Sequence, residues 1–275
     1  MERTVKTSKI RIGDISISYY IKEATNETDH KTILFIHGFP FNKNSWRPQL
    51  EALADDIKGI AIDVRGHGLS TMGHGFLSID VFAKDLKVFI EKLQLDRVIL
   101  CGVSMGGYIA LRAYELFPEK IAGLILCDTH HKADNNIAKQ KRFDSIQAIL
   151  RHGRRPFAIG FMSNLFSQKS LEELPDTVEF IKSSIRRNSI HGICATLLAL
   201  ASRTDSAHIL PTIQVPALLI RGAEDKITAK EYMQELHQTI PQSDYIEIEE
   251  CGHLPNLENP EAFNKLMNSF LLKIT

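Results

Sequence analysis

The sequence predicts an α/β fold: a mainly parallel sheet covered by helices, with a helical insertion over one end. Three observations carry that prediction. Short apolar runs alternate with helix-like segments along most of the 275 residues, the pattern of strands joined by crossover helices. The run Thr32-Ile33-Leu34-Phe35-Ile36 is continuously apolar, as a strand buried on both faces must be. About eighty residues, His131 to Leu210, then separate two strands with no convincing strand of their own, far more than an ordinary loop.

The elements follow in order. Lys9–Ile12, a Gly13-Asp14 turn and Ile15–Tyr19 alternate with period two and read as a hairpin, with a polar turn at Asn26–His30. Ile57–Ile62 is a strand and Ser78–Leu93 a helix; Arg97–Cys101 is a strand and Gly106–Phe117 a helix; Ile121–Cys127 is a strand. The insertion holds helix-like stretches at Asn136–Leu150, Thr177–Arg187 and Gly192–Ala201. Val215–Ile220 and Tyr245–Ile248 are strands, Ala229–Gln238 a helix, and Pro260–Leu272 a closing helix. Ligands bind at the carboxyl ends of strands in open α/β sheets, so an insertion there would bury and select the ligand.

Bulk properties narrow the function. The 33 basic and 33 acidic side chains cancel, which gives no support for nucleic acid or an anionic membrane as partner. The start, MERTVKTSKIRIG, has no apolar stretch of the secretory kind, and no run approaches membrane-spanning length. Cys101, Cys127, Cys194 and Cys251 form no CxxC pair, which argues against zinc and for free thiols in a reducing, cytoplasmic setting.

The chemistry gathers at Gly102-Val103-Ser104-Met105-Gly106. A strand turning at once into a helix strains one residue, and flanking glycines remove the side chains that would collide. The serine hydroxyl then stands above the sheet, with the Met105 N–H at the helix N-terminus, where backbone donors favour a negative oxygen. A second donor is needed, and His37-Gly38-Phe39-Pro40 follows the buried run ending at Ile36. Pro40 has no N–H, so Phe39 and Met105 are the candidate oxyanion donors. A serine also needs a base, and the base an orienting acid. Asp225, after the strand ending at Ile220, and His253, after the strand ending at Ile248, fill those places in the order Ser, Asp, His. Asp128, after the strand ending at Cys127, competes with Asp225 for the acid role.

With HGFP (37–40), DVRGHGLS (63–70), GVSMGG (102–107), IRGAEDKIT (220–228) and CGHLPNLENPEAF (251–263), the chain resembles the α/β-hydrolase family over nearly its whole length. Within it, the elbow is similar to those of 3-oxoadipate enol-lactonases, small carboxylesterases and cofactor-free haloperoxidase-type hydrolases. The resemblance implies an eight-stranded sheet, a hydrolase core at 1–130 and 211–275, a helical cap at 131–210, and a Ser104-Asp225-His253 triad. It also implies that Asp63, Arg65, Gly66, His67 and Gly68 form a structural loop; no GxGxxG or Walker pattern makes it a phosphate cradle. Relatives that work by dehalogenation or epoxide opening carry aspartate where Ser104 stands, and synthases of the menaquinone pathway typically carry arginine where Tyr108 stands.

These residues point to a serine hydrolase acting on a small-molecule ester or lactone, with no metal or organic cofactor. Perhydrolysis, thioester hydrolysis and C–C bond hydrolysis share the triad, and a non-turnover receptor is the alternative of a different class. Substrate identity and oligomeric state stay open. The insertion carries twelve Lys/Arg against seven Asp/Glu, a charge suited to a carboxylate-bearing substrate. Phe157, Phe161, Met162 and Phe166 are candidates for an apolar pocket roof, and Trp46 for its wall near the oxyanion loop.

Overall fold

The computed structural model describes residues 5–26 and 30–274. One eight-stranded sheet runs in the order β1-β2-β4-β3-β5-β6-β7-β8. β1 (Lys6–Ile12) and β2 (Ile15–Lys22) form the expected hairpin, and β2 continues antiparallel onto β4. The turn expected at Asn26–His30 lies partly outside the described residues. β3 (Lys31–Ile36), β4 (Ile57–Ile62), β5 (Val98–Val103), β6 (Ile121–Cys127), β7 (Ala217–Gly222) and β8 (Ser243–Ile248) run parallel.

The central strands are apolar throughout because both faces are covered. On β3, Leu34 and Ile36 join one core layer while Ile33 and Phe35 join the other. The same alternation holds on β5, with Leu100 on one side and Ile99 and Cys101 on the other. Crossover helices supply the covering layers. α1 (Arg47–Glu51) follows a 3₁₀ turn at Lys43–Trp46. α2 (Ile79–Lys92) starts where the Ser78 side chain accepts from the Val81 N–H, and it buries Phe82, Leu86, Phe89 and Ile90. That spacing is one helical face, and the serine satisfies a first-turn donor. α3 (Met105–Leu116) follows β5 without a loop.

Between β6 and β7 the chain runs through α4 (Asn136–His152), α5 (Arg154–Leu165), α6 (Gln168–Glu173), α7 (Pro175–Arg187) and α8 (Ile190–Ala201). α5 and α6 were not foreseen. The α5 sequence RRPFAIGFMSNL carries Pro156 and Gly160 and has no clean apolar period; its packing against the rest of the fold makes it helical. α9 (Lys230–Thr239), α10 (Pro255–Glu258) and α11 (Pro260–Lys273) complete the chain. No helix among the described residues is long and apolar enough to cross a membrane. The four cysteines are unpaired, three of them buried.

Candidate active site

Ser104 sits between β5 and α3 at φ 54°, ψ −116°, a region that strains any residue with a side chain. Neighbours over-determine it. The Ser104 N–H donates to Cys127 O at 2.9 Å, and its carbonyl accepts from Thr129 Oγ1 at 2.8 Å and from the Gly107 N–H at 2.9 Å. The two elbow glycines are required by close approach: a Cβ on Gly102 would collide with the Gly106 backbone, and one on Gly106 with Ile36 O. β5, β6, β7 and β8 are consecutive in the sheet, so Ser104, Asp128, Asp225 and His253 all follow the carboxyl ends of neighbouring parallel strands, which stand about 4.8 Å apart.

The loop after β3 reaches the elbow because Gly38 has no side chain; a Cβ there would lie 3.3 Å from Ser104 Cβ and 3.2 Å from Val103 O. His37 fixes this loop. Its Nδ1–H donates to Gly38 O at 2.9 Å, and its Nε2 accepts from the Val64 N–H at 3.1 Å. The acceptor role of Nε2 requires the neutral ring, and burial holds His37 down at about 4. The Phe39–Pro40 peptide is cis. Asp63 anchors the neighbouring turn, taking Lys43 Nζ at 2.6 Å, the Lys43 N–H at 2.7 Å and the Leu69 N–H at 2.9 Å. Arg65 is a bidentate partner of Asp85. Asp63 and Arg65 are therefore spent on scaffolding.

His253 Nδ1–H donates to Asp225 Oδ2 at 2.8 Å, with both side chains buried. The carboxylate selects the tautomer and leaves Nε2 with a free lone pair. Asp225 Oδ1 accepts from the Ile227 N–H at 2.8 Å. Burial pushes the Asp225 carboxyl up, but the charge and hydrogen bond of His253 outweigh it, so the group lies below the usual range. The two loops meet because a Cβ on Gly222 would strike Gly252 O. Asp128 Oδ1 accepts from the Gly222 N–H at 3.0 Å, and burial, reinforced by the Asp225 charge, raises the Asp128 carboxyl well above its ordinary value. One ligand-type atom from each of Asp128, Asp225 and His253 lies within 4.8 Å of the others. His253 Nδ1 and Asp225 Oδ2 are engaged with each other, and Asp225 Oδ1 and Asp128 Oδ1 each take a backbone N–H, which leaves too few free ligand atoms to hold a cation.

The pocket candidates divide. Phe157 and Phe161 are half-buried, stack with centroids 5.4 Å apart, and Phe157 reaches Phe39 at 6.4 Å. Trp46 is different: it is fully buried between Phe35 and Phe263, at 5.1 and 6.0 Å. Phe166 is fully buried and Met162 nearly so, both in the core layer with α11. Trp46 and Phe166 have no surface that even water can touch, so they are core residues and not pocket lining; an apolar residue near a site motif does not reveal which way it faces. Of the insertion's basic residues, Arg142 and Arg203 pair with Asp134, Lys182 and Arg186 with Glu179, Lys132 with Glu235 and Lys169 with Glu250. Half of its cations are thus neutralised locally.

Two connections to the insertion were missed. Buried Asn188, just past α7, donates to Pro40 O at 2.7 Å and accepts from the Gly68 N–H at 2.9 Å. Leu165 O at the end of α5 accepts from the His253 N–H at 2.7 Å. A lone asparagine and a leucine carbonyl carry no pattern that would single them out.

A model of the alpha/beta hydrolase fold family matches residues 31–260. The chain is 28% identical over 258 residues to 3-oxoadipate enol-lactonase 2 of Acinetobacter baylyi, covering 94% of each. It superposes on a thermophilic esterase from Thermogutta terrifontis, solved with malate bound, with a TM-score of 0.90, 31% identity and 98% of each chain covered. The enol-lactonase of Burkholderia xenovorans LB400 aligns with a TM-score of 0.89 over 97% of this chain and 100% of its own; at 23% identity that likeness is one of fold.

Proposed function

Since the chain belongs to the α/β-hydrolase family, we propose that it is a serine hydrolase cleaving a small-molecule ester or lactone, with Ser104, His253 and Asp225 as its triad. The buried 2.8 Å hydrogen bond from His253 to Asp225, at the same sheet edge as the strained Ser104, carries this reading. His253 Nε2 takes the Ser104 hydroxyl proton as Oγ attacks the carbonyl carbon. The Phe39 and Met105 N–H groups receive the oxyanion, in a site where fixed donors cost no reorganisation. The C–O bond breaks, His253 returns the proton to the leaving oxygen, and an acyl-Ser104 ester remains. Water then gives a proton to His253, attacks the acyl carbon and releases the acid, and the proton returns to Ser104. Asp225 holds the ring and stabilises its charged form throughout.

Residues 131–210 act as the cap in this reading, with Phe157 and Phe161 as an apolar wall beside Phe39. Ester or lactone chemistry is favoured because the relatives covering nearly the whole chain include an enol-lactonase at 28% identity and an esterase at 31%. Four unpaired thiols are in keeping with a reducing compartment. The test is hydrolysis of p-nitrophenyl acetate and butyrate, in EDTA, by wild type and Ser104→Ala. Steady turnover that collapses in the variant is expected. Equal rates in both, or none in the wild type, would remove the proposal.

A further inference from the structure

Asp128 Oδ2 is a buried carboxyl oxygen that no donor among the described residues reaches. Such a group costs stability unless something supplies it with a hydrogen bond. Another carboxyl, that of Asp225, lies close to this one, with an oxygen of each within 4.8 Å of the other. Two carboxylates can only accept, so facing each other ionised they would repel, and Asp128 Oδ2 would stay unsatisfied. One proton between them cures both defects, since like charges this close cannot both ionise in a buried site.

The surroundings say which carboxyl holds it. Asp225 has donors on both oxygens, Ile227 N–H and His253 Nδ1–H, and Arg221 Nη2 donates to its backbone carbonyl. Asp128 has a single donor, the Gly222 N–H on Oδ1. Besides His253, which is engaged with Asp225, the titratable groups that bear on Asp128 include Cys127, Cys251 and Tyr245. Burial keeps Cys127 and Cys251 protonated and pushes the tyrosine up, so none supplies a charge that would favour an ionised Asp128. The Asp128 backbone is itself held in place. Its φ is +43°, its N–H donates to Ile220 O at 3.0 Å, and its carbonyl accepts from Thr228 Oγ1 at 2.9 Å.

We propose that Asp128 is a positioning residue of the triad, which keeps its carboxyl proton and donates it as a hydrogen bond to the Asp225 carboxylate. The assignment rests on the Ser104-Asp225-His253 reading. The donated bond fixes the second edge of Asp225 and draws part of its negative charge away from His253. The two aspartates that compete for the acid role in the sequence thus both serve, one ionised and one neutral.

Asparagine can reproduce this arrangement: its Oδ1 accepts from Gly222 and its Nδ2 donates to Asp225. Alanine cannot. The pH–rate profiles of wild type, Asp128→Asn and Asp128→Ala are the first readout. In Asp128→Ala the full Asp225 charge bears on His253 and stabilises its protonated form, so the acid limb moves to higher pH and kcat falls. Asp128→Asn rescues, with its acid limb where the wild type has it. Were Asp128 ionised, removing its charge at this distance would move the acid limb of Asp128→Asn to lower pH by about one unit or more. That shift would overturn the proposal. So would an unmoved limb in Asp128→Ala.

The second readout does not depend on turnover. Infrared spectroscopy of the resting protein at neutral pH should show a buried protonated-carboxyl C=O band that disappears in Asp128→Asn. A wild type without the band refutes the proton on Asp128 even where the triad is intact. Its presence in an inactive protein would refute the esterase reading and leave the proton in place.

Discussion

Lowering the pH from 7 to 5.5 should destabilise the fold by a calculable amount, through histidines that the structure keeps neutral. Burial holds His37 at about 4 and His67 and His130 at about 3. The hydrogen bonds agree: His37 Nε2 accepts from the Val64 N–H, and His130 Nε2 faces Arg203 Nη2 at 3.3 Å. A proton on either nitrogen would set donor against donor. Unfolded, each ring takes a proton near 6.5, so the unfolded chain binds more protons than the native one below that pH. Stability therefore falls as pH falls, beginning near 6.5 and continuing to the native values. At pH 5.5 each ring costs about 1.4 kcal/mol and the three roughly 4 kcal/mol, against a total stability of about 5–15 kcal/mol for a domain. His131, also lowered by burial, adds in the same direction. Asp128 works the other way. Its native value is raised, so the native state holds the extra proton and gains as pH falls. It offsets part of the histidine loss. Urea unfolding at pH 7 and 5.5 measures this directly, and Asp128→Asn, which cannot titrate, should lose more than the wild type. Coincident midpoints at the two pH values, or a smaller loss in Asp128→Asn, would refute the reasoning.

Three further outcomes follow from named contacts. Asp225→Asn keeps the shape of the site but no longer selects the Nδ1–H tautomer of His253, so kcat should fall by about 10³–10⁴ with the melting temperature little changed; steady-state kinetics on p-nitrophenyl butyrate checks it. Asn188→Ala leaves Pro40 O and the Gly68 N–H without their buried partner. It should cost about 1–3 kcal/mol in urea unfolding and lower kcat more than it raises KM, because it loosens the loop that carries Phe39. Trp46→Ala empties a core position between Phe35 and Phe263, so it should cost about 3–5 kcal/mol, while Trp46→Phe should leave KM close to wild type because Trp46 touches no pocket.

Most of the fold is legible because its signals are local. Thr32–Ile36 and Ile121–Cys127 are continuously apolar and become strands with both faces covered. Ser78 marks the start of α2 and caps it. The order of Ser104, Asp225 and His253 follows from strand ends that the topology sets side by side. What the sequence conceals is set by packing at long range. α5 is helical through contacts its own residues do not announce, and Trp46 faces the core because Phe263, more than two hundred residues away, lies against it. The rivalry between Asp128 and Asp225 has no resolution along the chain, because β6 and β7 are neighbours and deliver both carboxyls to one place. Only the donors around each, Gly222 for one and Ile227 with His253 for the other, tell them apart.

Covalent capture of the nucleophile tests the central claim most directly. The intact wild-type protein would be incubated with a fluorophosphonate, digested, and the modified peptide located by mass spectrometry, with Ser104→Ala and Asp225→Asn in parallel. The account predicts one adduct, on Ser104, formed quickly in the wild type, slowly in Asp225→Asn and not at all in Ser104→Ala. No adduct on Ser104, or undiminished labelling of Ser104→Ala, would contradict it.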